Sequence, residues 1–261
     1  MIKLVASDVD GTLVDGQGKL HPETFDVIQK MHKQDVRFVV ASGRQYQSLR
    51  NKFAPIADEI AYIAENGAVV VLDGEEIHKS VIEPKLIPEF IQDVRRIENT
   101  HLVLCSKDCA YIETDNLAVL KEMQIYYANL EIVEDLTDVE AEVIKLSVMH
   151  MEDSELTYAG LEPKWKQHLT LVITTPLWVD VYNQSTSKGF ALKKLQEHYG
   201  ANFDSTMVFG DYFNDVSMMK EAKYSYAMAN APAGVKDEAT YEAASNEEYG
   251  VLQVIYDRIL G

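Results

Sequence analysis

The stretch Leu4-Val-Ala-Ser-Asp-Val-Asp-Gly-Thr-Leu-Val14 decides how this chain is read. An apolar run comes first, then two aspartates with one residue between them, then Gly11 and Thr12. The run reads as a buried parallel strand, because a strand covered on both faces is apolar throughout and does not alternate. Two carboxylates at its end raise each other's pKa, and burial adds a desolvation penalty. Such an arrangement implies a compensating positive charge at that spot.

Outward from that strand, the pattern repeats. Residues 22–34, PETFDVIQKMHKQ, read as a helix with Pro22 at its start and Phe25, Ile28 and Met31 on one face. VRFVVAS is a second strand, QYQSLRNKF a helix, and IAYIAENG a third strand. AVVVLDGEEIHKSV reads as a hairpin turning at Asp73-Gly74. Strands alternating with helices imply βαβ units and a parallel sheet. Near Pro84 the grouping changes to LIPEFIQDVRRI (helix), HLVLCS and AYIET (strands), NLAVLKEMQIYY (helix) and EVIKLSVMH (strand). A helical stretch to about residue 167 follows, then the strands LTLVITT and LWVDVYN. This is the pattern of a separate α+β module with an antiparallel sheet. After STSKG the alternation resumes, from FALKKLQEHYG through STMVFGD, FNDVSMMKEA and YSYAMAN to a C-terminal helix. The expected organisation is an α/β domain of residues 1–83 and 186–261, interrupted by an inserted α+β domain of residues 84–185, with a ligand cleft between them.

Composition narrows the function. The chain has 261 residues, enough for a large core, and a net charge of -18, which argues against nucleic acid and anionic membranes as partners. An anionic substrate would need local positive charge. No apolar run reaches about 18 residues, so no membrane span is expected. The N-terminus has no secretory-signal pattern. Cys105 and Cys109 form no metal or disulfide framework, and the expected setting is cytoplasmic. The histidines show no ligand spacing.

Every short motif of interest follows a strand of the α/β part. Asp8 and Asp10 follow the first, Ser42-Gly43-Arg44 the second, Asn66-Gly67 the third, and Asp211, Asn214 and Asp215 follow TMVFG. Ligands of open parallel sheets bind beyond the carboxyl ends of the strands, so these residues can converge, and Lys188 can join them. A hard divalent cation, Mg2+, takes oxygen ligands and would offset the repulsion among Asp8, Asp10, Asp211 and Asp215. A carboxylate can attack phosphorus and form an aspartyl-phosphate. A second carboxyl two residues on could protonate the leaving alkoxide and then activate water. Gly11 and Thr12 suit a chain that turns tightly beside phosphate.

The motifs D-V-D-G-T at 8–12, A-S-G-R with Ser42, S-K-G with Lys188 and G-D-Y-F-N-D at 210–215, in that order, resemble the haloacid dehalogenase superfamily of phosphatases. The large insert and E-N-G-A at 65–68 are similar to its Cof-like subfamily of capped sugar- and cofactor-phosphatases. The resemblance implies a Rossmann-like core with a cap domain, and Mg2+-dependent hydrolysis of small phosphomonoesters. By it Asp8 is the nucleophile and Asp10 the general acid/base. Gly11, Thr12, Ser42, Gly43, Arg44, Asn66, Lys188 and Asn214 would line the phosphate or substrate. Mg2+ would be held by Asp8, the Asp10 backbone carbonyl and Asp211, with Asp215 supporting. Tyr212 and Phe213 are bulkier than the small or polar residues many relatives carry there.

Blander readings stand beside these. Asp8 and Asp10 could form a turn, and Asp211, Asn214 and Asp215 could cap the next helix, which is compatible with cation binding. Asn66 could merely make the turn with Gly67. Arg44 reads equally as a structural ion pair or a substrate contact. A phosphomutase, which passes the aspartyl-phosphate to a second hydroxyl, fits the same motifs. A non-catalytic phosphate-binding regulator fits less well, because it has no need for Asp10. A monomer or small homo-oligomer fits the sequence. The inserted domain is expected to choose the substrate, with hinges near 82–85 and 183–187. Deleting residues 86–182 should therefore flatten the ranking among phosphate esters in a release assay; an unchanged ranking from folded, truncated protein would overturn this.

Overall fold

The computed structural model describes residues 1–127 and 129–261, Ile125 by its backbone alone. The chain divides into two compact units, Met1–His78 with Ser187–Gly261, and Lys79–Thr186.

The first unit opens with strand β1 (Leu4–Ser7), helix α1 (Thr24–His32), β2 (Arg37–Ala41), α2 (Tyr46–Lys52), β3 (Ala61–Ala64), β4 (Val69–Leu72) and β5 (Glu75–Lys79). All four residues of β1 are buried, as a strand flanked on both sides requires. On α1 the buried face is Thr24, Val27, Ile28 and Met31, so the expected stripe is rotated and Phe25 lies half-buried at its edge. The β4–β5 hairpin turns at Asp73 (φ 52°) and Gly74 (φ 77°), both left-handed, as a two-residue hairpin loop demands.

The second unit contains α3 (Ile87–Val94), β6 (Thr100–Cys105), β7 (Ala110–Ile112), α4 (Leu117–Tyr126), β8 (Leu130–Ile132), β9 (Lys145–His150), α5 (Ser154–Trp165), β10 (Leu169–Thr175) and β11 (Trp178–Asn183). Its strand order is β10-β11-β9-β6-β7-β8. The pairs β10–β11, β11–β9, β9–β6 and β6–β7 are antiparallel, but β7 and β8 are parallel. Parallel neighbours need a crossover, and α4 supplies it. Phe90, Ile91, Val94, Leu161 and Trp165 of α3 and α5 pack on the Leu102, Leu104, Leu146 and Val148 face of this sheet.

The chain then completes the first unit with α6 (Lys188–Tyr199), β12 (Thr206–Gly210), α7 (Val216–Met219), β13 (Tyr224–Met228), α8 (Ala233–Lys236), β14 (Tyr241–Ala243) and α9 (Gly250–Ile255), the last continued by Tyr256–Leu260. The strand order is β14-β13-β12-β1-β2-β3-β4-β5. The strands from β14 to β3 are parallel and β4 runs antiparallel to β3. The order reverses at β1, which lies between β12 and β2. That reversal is the switch point where open α/β sheets form a crevice beyond the strands' carboxyl ends. Ala191, Leu192 and Leu195 of α6 pack with Leu4, Ala6, Val39 and Val208 of the sheet. Met218 and Met219 lie in the same cluster, as core residues. No helix among the described residues is long and apolar enough to cross a membrane.

Candidate active site

Lys188 is the centre of the site. It opens α6, on the same stripe as Ala191, Leu192 and Leu195, so the packing that seats the helix on the sheet drives its side chain inward. Ser187 caps this helix, its Oγ accepting from the Phe190 N–H at 3.1 Å. The Lys188 ammonium, 0 % exposed, donates to Asp8 Oδ1 and Asp215 Oδ1, each at 2.6 Å. The Asp215 side chain is also fully buried, and its Oδ2 accepts from the backbone N–H groups of Asp211 (3.0 Å) and Tyr212 (3.2 Å). Asp211 is fixed from the other side, where Thr12 Oγ1 donates to its Oδ1 at 2.9 Å.

Asp8, Asp211 and Asp215 each offer one carboxylate oxygen within 4.8 Å of the others. Two glycines make room. A Cβ at Gly11 (φ 78°) would stand 2.3 Å from Asp211 Oδ2, and one at Gly210 would stand 2.4 Å from the Asp215 Cβ. The donor set is hard oxygen from converging carboxylates, which fits a hard divalent cation.

Ser42, Gly43, Arg44, Asn66 and Asn214 form the adjoining part. Asn66 takes a left-handed conformation (φ 54°), and its N–H donates to the Ser42 carbonyl at 3.0 Å. Asn214 Nδ2 donates to Asn66 Oδ1 at 2.9 Å. A Cβ on Gly43 would press on the Asn66 amide at 3.2 Å. Arg44 grips both Asp10 oxygens, Nε to Oδ2 at 2.7 Å and Nη2 to Oδ1 at 2.6 Å. The pair is half-exposed, so it orients Asp10 more than it stabilises the fold. Of the two readings open for Arg44, this structure shows the ion pair. The Asp10 side chain thus turns to Arg44 and is not one of the clustered carboxylates.

Sequence patterning pointed to none of Asn230, Asn246 and Glu247, which hold the segment after Asp8. Asn230 Nδ2 donates to the Gly11 carbonyl at 2.8 Å, and Asn246 Nδ2 to the Val14 carbonyl at 3.0 Å. Glu247 Oε1 accepts from the Gly16 N–H at 2.7 Å. One signal was available for Asn230: it stands just beyond the carboxyl end of β13, as the recognised motifs stand beyond theirs.

Burial pushes the Asp8 carboxyl up to about 8; Lys188 opposes this and Asp215 and Asp211 add to it. Asp211 is pushed up to about 6, first by burial and then by Asp215, with Thr12 opposing. Burial draws the Lys188 ammonium down, but Asp215 and Asp8 outweigh it, and its net shift is upward. A carboxyl whose folded pKa is raised binds its proton more tightly in the folded state. Its contribution to stability is complete below about pH 4 and is lost as pH rises through the folded value. In chelator, melting temperature should therefore fall as pH rises through 6 and 8. Mg2+ should raise it more at pH 8.5 than at pH 5, and Asp211→Asn should flatten the fall. A thermal-shift series with the same Mg2+ increment at both pH values would overturn this.

The sequence pattern of the haloacid dehalogenase-like hydrolases matches residues 5–255. The chain is 32% identical over 263 residues to the 5-amino-6-(5-phospho-D-ribitylamino)uracil phosphatase YbjI of Escherichia coli (strain K12), covering 99% of this chain and 96% of that one. It is 27% identical to the 5-amino-6-(5-phospho-D-ribitylamino)uracil phosphatase YcsE of Bacillus subtilis (strain 168), at 99% and 96% coverage. Its fold superposes on the crystal structure of SMU.1108c from Streptococcus mutans UA159 with a TM-score of 0.91, at 28% identity and full coverage of both chains. The clustered aspartates around a buried lysine thus lie in a chain that belongs to the haloacid dehalogenase-like hydrolase family.

Proposed function

We propose that this chain is a Mg2+-dependent phosphatase of small phosphomonoesters, a sugar phosphate or a phosphorylated cofactor, working through an aspartyl-phosphate on Asp8. The observation that carries the reading is the buried Lys188 ammonium held between Asp8 and Asp215, next to Asp211. Two relatives named as phosphatases of a phosphorylated ribitylamino-uracil support it.

In the first step a carboxylate oxygen of Asp8 attacks phosphorus, the ester P–O bond breaks, and Asp10 gives a proton to the departing alkoxide. In the second, Asp10 takes a proton from water, the water oxygen attacks phosphorus, and the bond to Asp8 breaks to release phosphate. Arg44 Nε and Nη2 hold the Asp10 carboxyl in place for both steps. Lys188 places positive charge beside the transferring group, and Ser42, Asn66 and Asn214 offer polar groups to its oxygens. Mg2+ held by Asp8, Asp211 and Asp215 would supply further positive charge against the phosphoryl oxygens. The Lys79–Thr186 unit serves as the cap that selects the substrate.

Phosphate release should be measured across sugar phosphates, nucleotides, flavin mononucleotide, pyridoxal phosphate and an aryl phosphate. Turnover should require Mg2+ and vanish in Asp8→Asn, and Asp10→Asn should lower kcat by about 10²–10⁴-fold. Folded protein with Mg2+ that releases no phosphate from any of them would overturn the proposal.

Tyr212 and Phe213 extend the reading to the leaving group. Both rings stand 49% and 57% exposed, edge to face at 5.4 Å, between Asp211 and Asn214. Exposed aromatic faces beside a phosphate site suit a planar ring on the substrate. Tyr212→Ala should lower kcat/KM for flavin mononucleotide and pyridoxal phosphate several-fold more than for a sugar phosphate. Equal losses on both classes would refute that role.

A further inference from the structure

The segment after Asp8 is held by the far end of the chain. Asn230 Nδ2 donates to the Gly11 carbonyl, and Asn230 Oδ1 accepts from the Asn246 N–H at 3.2 Å. The amide is thus gripped at both ends, and it contacts Gly11 three residues before Val14, whose carbonyl Asn246 holds.

We propose that Asn230 is a positioning residue: by fixing the Gly11 peptide it sets the placement of Thr12 and Asp211, and with it the affinity of the acidic cluster for a divalent cation. Gly11 has the widest backbone freedom of any residue type, and it adopts φ 78° here, so its peptide is the one that most needs an external hold. The local turn is closed at Leu13 and Val14, whose N–H groups reach the Val9 carbonyl at 3.0 and 3.1 Å, but the Thr12 N–H of the Gly11–Thr12 peptide reaches it only at 3.4 Å. Yet the position is exacting. The Gly11 backbone passes so close to Asp211 that a Cβ would stand 2.3 Å from its Oδ2, and the next side chain, Thr12, donates to Asp211 Oδ1. A continuous line of contacts therefore runs from Asn246 through Asn230, Gly11 and Thr12 to a clustered carboxylate. The Asn230 side chain bonds to Gly11 and Asn246 and so acts on the cluster from outside it.

Two variants test this. Asn230 is exposed, so neither Asn230→Ala nor Asn230→Asp opens a cavity. The aspartate keeps the acceptor for Asn246 but sets a second acceptor against the Gly11 carbonyl. Calorimetric titration with Mg2+ should show affinity falling about tenfold in both, the weight of one hydrogen bond. With an aryl phosphate, kcat at fixed Mg2+ should fall by a similar factor while KM stays within about twofold. Asn129→Ala is the control: its Nδ2 donates to the Asp108 carbonyl at 3.0 Å, also at an exposed position, and its loss should leave both readouts unchanged. Unchanged Mg2+ affinity in both Asn230 variants overturns the proposal, whether or not melting temperature drops. A parent protein that does not bind Mg2+ overturns it too. The kinetic arm rests on the phosphatase reading and the calorimetric arm does not: a parent that binds Mg2+ but releases no phosphate defeats that reading, while the titration still decides the role of Asn230.

Discussion

The fold brings three carboxylates to one spot and sets a single buried ammonium against them. In their ionised forms Asp8, Asp211 and Asp215 outweigh Lys188 by two charges. Burying such groups is unfavourable unless each finds partners, and removing one member of a buried pair costs about 3–5 kcal/mol. The structure meets this demand at four of the six oxygens. Lys188 occupies one oxygen of Asp8 and one of Asp215, two backbone N–H groups occupy the other oxygen of Asp215, and Thr12 occupies Asp211. Burial is what chiefly raises Asp8 and Asp211, the neighbouring carboxylates add to it, and a divalent cation at the cluster would oppose both effects.

The same imbalance bears on how an anion reaches the site. The chain carries a net charge of -18, a field that disfavours phosphate esters at a distance. At physiological ionic strength that field decays over about 8 Å, so approach is governed by the charges nearest the site. Lys188 and Arg44 are cationic side chains placed there, and both are tied to aspartates. A divalent cation at the acidic cluster would add positive charge that no aspartate already holds.

How much of this was legible follows from what each residue does. Asp8, Asp10, Ser42, Lys188, Asp211 and Asp215 stand in short motifs directly after strands or at a helix start, where the strand pattern locates them and the resemblance to the dehalogenase superfamily gives them roles. The strand alternation likewise exposed the parallel sheet, and Asp73-Gly74 exposed its hairpin. The elements that escaped notice are short ones. β8 and β14 have three residues each, too few for a period, and they exist because a neighbouring strand offers a ladder. Asn230, Asn246 and Glu247 escaped for another reason. They bond to backbone groups of residues more than 200 positions away, and a backbone carbonyl leaves no side-chain pattern to match. Side chains that carry chemistry are written in type and spacing, whereas those that hold a loop are written only in the tertiary fold.

One consequence concerns the return of the chain to α6. Within the inserted unit, Asn183 Nδ2 donates to the Val81 carbonyl and Thr186 Oγ1 to Ser80 Oγ, so the outgoing and returning segments are laced together. Only Ser187 separates Thr186 from Lys188. Ser187 is pinned on its other side: a Cβ on Gly67 would stand 2.3 Å from its carbonyl oxygen, and its hydroxyl caps α6. A rearrangement of the insert must then be absorbed before Ser187, since beyond it the backbone is packed against Gly67 and locked into a helix cap. The ammonium between Asp8 and Asp215 is in this way insulated from the linker that precedes it by one residue. The Lys188 contacts are set within the first unit, because the first residue after the boundary, Ser187, already packs against Gly67.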